Sequence, residues 1–200
     1  MSDRNPTNAR SVVLGRIHEA LAGSPPAPVV VPRDYDREPL RRRGDVETFT
    51  ETVAEYRARV FRIQADAIAG TVATLLPAGA VVAVPDDLPA EWVAGAQTGA
   101  PEGADAVVTG CALAIAATGT IVLDGGTAQG RRALTLIPDH HICVVFAEQI
   151  VDTVPQGFAA LNPLRPLTFI SGPSATSDIE LQRVEGVHGP RTLDVLIVDS

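Results

Sequence analysis

The chain has 200 residues, 46% hydrophobic and 20% charged, which suits one globular domain with a full core and is too short for two. All sixteen basic residues are Arg and the net charge is −8, which excludes Schiff-base or P-loop chemistry by Lys and a basic face for nucleic acid. With Cys111 and Cys143 as the only cysteines, an iron–sulphur cluster or a four-ligand zinc site is excluded, so no metal and no cofactor is expected in this chain. Met1–Pro6 lacks the basic-then-apolar layout of a signal peptide, and no apolar run reaches eighteen residues. A cytoplasmic location is expected.

Residues 8–22 suit an amphipathic helix, with Val13, Ile17 and Leu21 on one face and Gly23 as a stop signal. Ser24-Pro-Pro-Ala-Pro28, Pro32 and Pro39 then rule out a continuing helix. Residues 1–44 are thus expected to form an N-terminal helix and a Pro/Arg-rich arm, the helix docking on a neighbouring subunit or on its own domain. Arg41-Arg42-Arg43 is flanked by acids and reads as a solvated feature.

Residues 45–200 are expected to form a single α/β domain. Phe49, Val53 and Tyr56 suit one helix face, and Val60–Ile63 suits a short strand or a continuation of that helix. Ala65–Leu76 reads as helix, Ala80–Val84 as a buried strand closed by Pro85, and Trp92 lies on a short helix begun by Pro89. Strand candidates follow at 106–109, 119–123, 141–146, 167–170 and 193–198, with a helix at 148–161. Near-continuous Val/Ile runs between helices predict a three-layer α/β/α arrangement around a mostly parallel sheet. Cys111 and Cys143, each among small or apolar residues, suit buried thiols.

Ligands of open parallel sheets bind beyond the carboxyl ends of strands, and three loops suit that place. Asp124-Gly-Gly-Thr-Ala-Gln-Gly130 precedes Arg131 and Arg132; it is either a hairpin with two surface arginines or an anion cradle in which Arg grips a carboxylate. Thr118-Gly119-Thr120 is a turn into a strand or a hydroxyl-bearing contact loop. In Ile170-Ser171-Gly172-Pro173-Ser174-Ala175-Thr176-Ser177-Asp178-Ile179-Glu180, a strand runs into a tight turn. Ser174, Thr176 and Asp178 then either cap a short helix or face a ligand. His188, in Gly186-Val-His-Gly-Pro190, is a turn residue or a proton-transfer group. His140 and His141 are adjacent and point to opposite faces of a strand, so they cannot clasp one metal.

Five blocks in order carry a resemblance: Ala114–Leu123 with its Thr-Gly-Thr, Gly130–Pro138, an apolar strand before an Ile-Val helix, Ser171–Glu180, and Gly186–Pro190. Together they resemble the LUD-domain family, in particular its small C-type lactate-utilisation branch. That resemblance covers residues 104–198 and implies a fold like that of sugar-phosphate isomerases and CoA transferases. It also implies a subunit of a system oxidising L-lactate to pyruvate, with iron–sulphur clusters carried by larger partner subunits. In that setting Arg131 or Arg132 would hold a small carboxylate and His188 would take the hydroxyl proton. Thr118, Gly119, Thr120, Ser171, Gly172, Ser174, Thr176 and Asp178 would contact substrate. The family commonly has Glu just before its Thr-Gly-Thr, where this chain has Ala117. A stand-alone isomerase or CoA-transferase-like enzyme would have to rely on Glu180 or Asp178. A non-catalytic assembly subunit is the third reading, and homo-oligomers are compatible with all three.

Overall fold

A computed structural model describes residues 6–23, 29–34, 45–176, 184–185 and 189–199. The chain divides into two units, Met1–Tyr35 and Asp36–Ser200. In the first, α1 (Pro6–Ala22) is the expected helix, and Val13, Ile17 and Leu21 along it are exposed. The second opens with α2 (Val46–Glu55), β1 (Arg59–Gln64), α3 (Ile68–Leu75), β2 (Val81–Ala83), β3 (Gln97–Thr98) and β4 (Ala106–Thr109). It continues through β5 (Leu113–Ile115), β6 (Thr120–Leu123), β7 (His140–Phe146), β8 (Ile150–Val151) and α4 (Val154–Ala160). The last elements are β9 (Thr168–Ile170), β10 (Ala175–Thr176), β11 (Val184–Glu185) and β12 (Thr192–Asp199). No helix among the described residues is long and apolar enough to cross a membrane.

Six strands form one sheet in the order β1-β12-β7-β4-β2-β3, parallel at every pairing. Alternate residues of the central strands serve opposite faces, as the period of two demands. Ile142 and Val144 of β7, with Leu196 and Val198 of β12, pack with Ile68 and Val72 of α3 and with Trp92. Cys143 and Val145, with Val195 and Ile197, pack with Phe49 and Val53 of α2 and with Ala114 and Ile121. Burial on both faces is why these strands are continuous Val/Ile runs.

The second face carries more than helices. β8-β5-β6-β9 form a separate sheet, parallel between β5 and β8 and antiparallel elsewhere, whose far side packs Leu113, Ile115 and Val122 against Leu161. The mostly parallel α/β expectation therefore holds, but strands 120–123 and 168–170 leave the parallel sheet. The cause is local: β5 and β6 are joined by a single turn at Ala116–Thr118, too short for a crossover, so they pair antiparallel.

Two further expectations change. The helix expected at 148–161 begins only at Val154, because Ile150 and Val151 pair with β5 and a Thr153/Gln156 capping box with Pro155 sets the start. Ala175–Thr176, within the stretch expected to cap a short helix or face a ligand through Ser174, Thr176 and Asp178, form a short ladder in which β10 pairs antiparallel with β11, and Asp178 lies outside the described residues. Residues 60–63 are strand, resolving that alternative.

At the amino ends of β1 and β7, Asp194 is fully buried and ties three neighbouring strands. Its two carboxylate oxygens accept from Arg59 Nε and Nη2, both at 2.6 Å, and His140 Nε2 lies 2.7 Å from Oδ2. Burial pushes the Asp194 pKa up, but the His140 and Arg59 contacts outweigh it and hold the carboxyl below its ordinary value. His141, facing the other way, lies 2.8 Å from Thr109 Oγ1, so the two histidines do diverge.

Candidate functional site

The loop after β6 is braced rather than loose. Asp124 Oδ1 accepts from the Gly126 N–H at 2.9 Å, and Gln129 Oε1 accepts from the Asp124 N–H at 2.6 Å. The Gly110 N–H donates to the Ala128 carbonyl at 2.7 Å, tying the loop to the end of β4. Gly125, Ala128 and Gly130 take positive φ of 67°, 58° and 66°, which bends the chain back over those bonds. Arg165 closes the loop from outside, its Nη1 2.7 Å from Asp124 Oδ2. Burial raises the Asp124 pKa, and Arg165, the Gly126 N–H and Gln129 more than offset it, so the carboxyl sits below its ordinary value.

Cavities flank this loop on two sides. One of about 910 Å³ lies beyond the carboxyl ends of β4 and β7, reached by Cys111, Trp92, Phe146, Glu148 and Gln149. The other, of about 700 Å³, is lined by Arg131, Arg132, Thr135, Asp86 and Asp87. Gly126, Thr127, Gln129 and Arg165 line both.

Arg132 is the group best suited to an anion. Its Nη1 donates to Thr135 Oγ1 at 2.7 Å, and it makes no ion pair among the described residues. Partial burial lowers its pKa with no carboxylate to offset the penalty, whereas the pKa values of Arg59 and Arg62 are raised, first by hydrogen bonds to Asp194 and Asp199. A bound carboxylate would supply the missing counter-charge through two parallel hydrogen bonds. Arg131 and Arg132 are both exposed residues, and Arg132 is the one whose guanidinium is tied to Thr135.

The hydroxyls form a separate cluster. Thr118 Oγ1, Thr120 Oγ1 and Ser171 Oγ run in a chain, 2.7 Å and then 2.8 Å apart. They line a groove of about 340 Å³ with Tyr56, Phe158 and Phe169, the two phenylalanine rings stacked at 5.4 Å. Thr120 begins β6 and Leu123, which ends it roughly 10 Å away, lines the arginine cavity, so the hydroxyls and that cavity lie at opposite ends of one strand. Among the described residues the two sets line different cavities.

The motif glycines have a packing role. Gly119 (φ +55°) lies against α2, and a Cβ there would meet Val53 N at 2.5 Å and Thr52 C at 2.6 Å. Gly172 (φ +81°) presses on the Tyr56 carbonyl, where the helix ends. Thr52 Oγ1 seals the contact by donating to the Ala116 carbonyl at 2.7 Å. Ala117 is exposed, with its N–H donating to the Asp152 carbonyl at 3.0 Å.

The Ser-Gly-Pro-Ser and Gly-Pro motifs do meet: the Ser174 N–H donates to the Pro190 carbonyl at 2.8 Å. Thr176 contributes its backbone to β10. Asp178, Glu180 and His188 lie outside the described residues. Among the described residues no group of three or more His, Cys, Asp and Glu comes together as a metal site. Sequence reasoning missed Asp124 and Arg165 as a pair. The available signal was a lone Arg held between prolines in Asn162-Pro-Leu-Arg-Pro166, opposite a Gly-rich loop.

Comparison with known proteins follows the same blocks. The LUD domain model matches residues 100–198. "Lactate utilization protein C" of Deinococcus radiodurans is 44% identical, with 95% of each chain covered. Its namesake in Bacillus pumilus is 38% identical over 43% of this chain and 39% of its own. A crystal structure of a DUF162 family protein from Deinococcus radiodurans superimposes with a TM-score of 0.65 and 41% identity, covering 76% of this chain and 95% of that one. With two-fifths of its residues shared along nearly its full length, the chain belongs to the LUD-domain family.

Proposed function

We propose that the protein serves lactate utilisation by holding a small 2-hydroxy or 2-oxo carboxylate at Arg132, as a subunit of a system that oxidises L-lactate to pyruvate. The observation that carries this reading is the Arg132 guanidinium, held by Thr135 and in no ion pair among the described residues, on the rim of a braced Gly-rich loop. The relatives' shared name supplies the acid. Oxidation removes two electrons and two protons from the substrate. This chain's two cysteines cannot hold a cluster, so the C2 hydrogen leaves with the electron pair to an acceptor on the iron–sulphur partner subunits, while this chain fixes the carboxylate and receives the hydroxyl proton at His188. Substrate contacts from Thr118, Thr120 and Ser171 belong to the separate groove, which suits a second ligand segment or a partner side chain better than the same small acid.

Titration calorimetry with L-lactate and pyruvate tests the carboxylate site directly. Losing a charge-assisted, bidentate contact of about 1.5–3 kcal/mol should weaken binding roughly tenfold to a hundredfold in Arg132→Ala. Equal affinities in the two proteins would sink the assignment. Copurification of the chain with Cys-rich partners from its native host tests the subunit reading. Recovery of the chain alone under conditions that preserve lactate oxidation would count against it.

A further inference from the structure

The two cysteines are not isolated buried hydrophobes. Cys111 lies just beyond β4, 5% exposed, and forms part of the wall of the cavity of about 910 Å³. Cys143, fully buried on β7, is paired in register with Thr109, two residues before Cys111. Its sulphur lies 3.6 Å from the Gly110 carbonyl, which belongs to the residue next to Cys111, so the two cysteines are neighbours across the β4–β7 pairing. Polar groups surround the pair. Cys111 Sγ is 3.5 Å from Gln149 Oε1, and Gln149 Nε2 donates to the Cys111 carbonyl at 2.8 Å, which holds that residue in place. Thr109 Oγ1 lies 3.9 Å from Cys143 Sγ and 2.8 Å from His141 Nε2.

We propose that Cys111 and Cys143 form an oxidation site, in which a small peroxide entering the cavity oxidises Cys111 and Cys143 then closes on it as a disulfide. A structural thiol in an apolar pocket is inert, and reactive ones sit beside groups that favour the thiolate. Here the pair is polarised in that sense: the neighbouring Cys111 thiol, with His141 and Thr109, lowers the Cys143 pKa, while the neighbouring Cys143 and burial raise that of Cys111. The two thiols therefore titrate as a pair that loses its first proton more readily than a lone buried thiol would, and passing the remaining proton to Cys143 gives the Cys111 thiolate that faces the cavity.

In the first step the Cys111 sulphur attacks the terminal peroxide oxygen. The O–O bond breaks, Cys111 becomes a sulfenic acid, and the thiol proton leaves with the alcohol or water formed. In the second step the Cys143 thiolate attacks the Cys111 sulphur. The S–O bond breaks, the S–S bond forms, and hydroxide departs and is protonated to water. Two electrons pass from the thiol pair to the peroxide, and the balance closes. The division of roles follows from position, since Cys111 faces the cavity and Cys143 does not.

The test uses the full chain treated with hydrogen peroxide, then denatured, alkylated and analysed by mass spectrometry. Both thiols should disappear together with loss of two hydrogens, in a monomer, and return with a reductant. In Cys143→Ala, Cys111 should instead accumulate as a sulfenic acid trapped by dimedone. In Cys111→Ala, oxidation of Cys143 should be at least about tenfold slower, because its sulphur has no route to the peroxide. Two intact thiols in the treated wild type would overturn the proposal, as would a disulfide found only between chains. Equal oxidation of Cys143 with and without Cys111 would do the same.

Discussion

Replacing Gly119 by Ala probes the contact on which the second sheet is hung. Ala must adopt the left-handed conformation at φ +55°, at a cost of roughly 1–2 kcal/mol. Its Cβ would lie 2.5–2.7 Å from three backbone atoms of Thr52 and Val53, so no rotamer change relieves the overlap. The turn and α2 must part instead, and overpacking of that kind costs about 1–3 kcal/mol. Separation also stretches the 2.7 Å bond from Thr52 Oγ1 to the Ala116 carbonyl, worth about 1 kcal/mol. The total is about 3–6 kcal/mol, a large share of a stability on the order of 5–15 kcal/mol. With a urea slope of about 2 kcal/mol/M the midpoint should fall by roughly 2 M. Gly70→Ala is the matched control. It lies inside α3 with nothing within 4 Å of the added Cβ, so it should raise the midpoint through a gain of about 0.5–1 kcal/mol. Urea denaturation followed by circular dichroism reads both. A Gly119→Ala midpoint equal to that of the wild type would refute the clamp.

Other outcomes follow from the polar groups. Because Asp194 has a lower pKa folded than unfolded, its stabilisation is fully present above about pH 4, the unfolded value, and is lost as the pH falls through the folded one. Asp194→Asn should therefore flatten the acid limb of a stability–pH curve and cost about 2 kcal/mol at neutral pH, less than a wholly buried pair because Arg59 is half exposed. An unchanged acid limb in that variant would remove Asp194 as its source. Thr120→Val, which takes out the middle hydroxyl of the chain from Thr118 to Ser171, should cost about 1 kcal/mol of stability and leave lactate affinity at the Arg132 site unchanged. A calorimetric loss of lactate binding in Thr120→Val would join the two sites that the geometry separates.

Much of the fold was legible because burial and residue type coincide. β7 and β12 are unbroken runs of apolar residues since both of their faces are covered, and Phe49 and Val53 keep helical spacing because one side of α2 meets the sheet. The second sheet was not legible. Leu113–Ile115 and Thr120–Leu123 are as apolar as the parallel strands, and apolarity reports burial without reporting which sheet does the burying. Antiparallel pairing depended on a three-residue turn, a length signal that the Val/Ile pattern obscured. Ile150-Val151 reads as helix for a similar reason, since two residues carry no periodicity of their own.

The site was legible in its residue types and misleading in its unity. Gly, Ser and Thr in the shared motifs suggest a ligand cradle, yet Gly119 and Gly172 are needed where the turn after β5 and the turn after β9 close on the backbone of α2. Such glycines would mark any protein built on this frame, whatever it binds. Chemical choice must then reside in groups that packing does not require. Arg132 meets that condition: its pKa is lowered by burial, its described partner is a hydroxyl, and its removal leaves no buried carboxylate unpaired among the described residues. Asp194 fails it, because its partners are strands of the core. An anion that binds the folded Arg132 site and not the unfolded chain stabilises the fold by mass action, so ligand binding and added stability should appear together at Arg132.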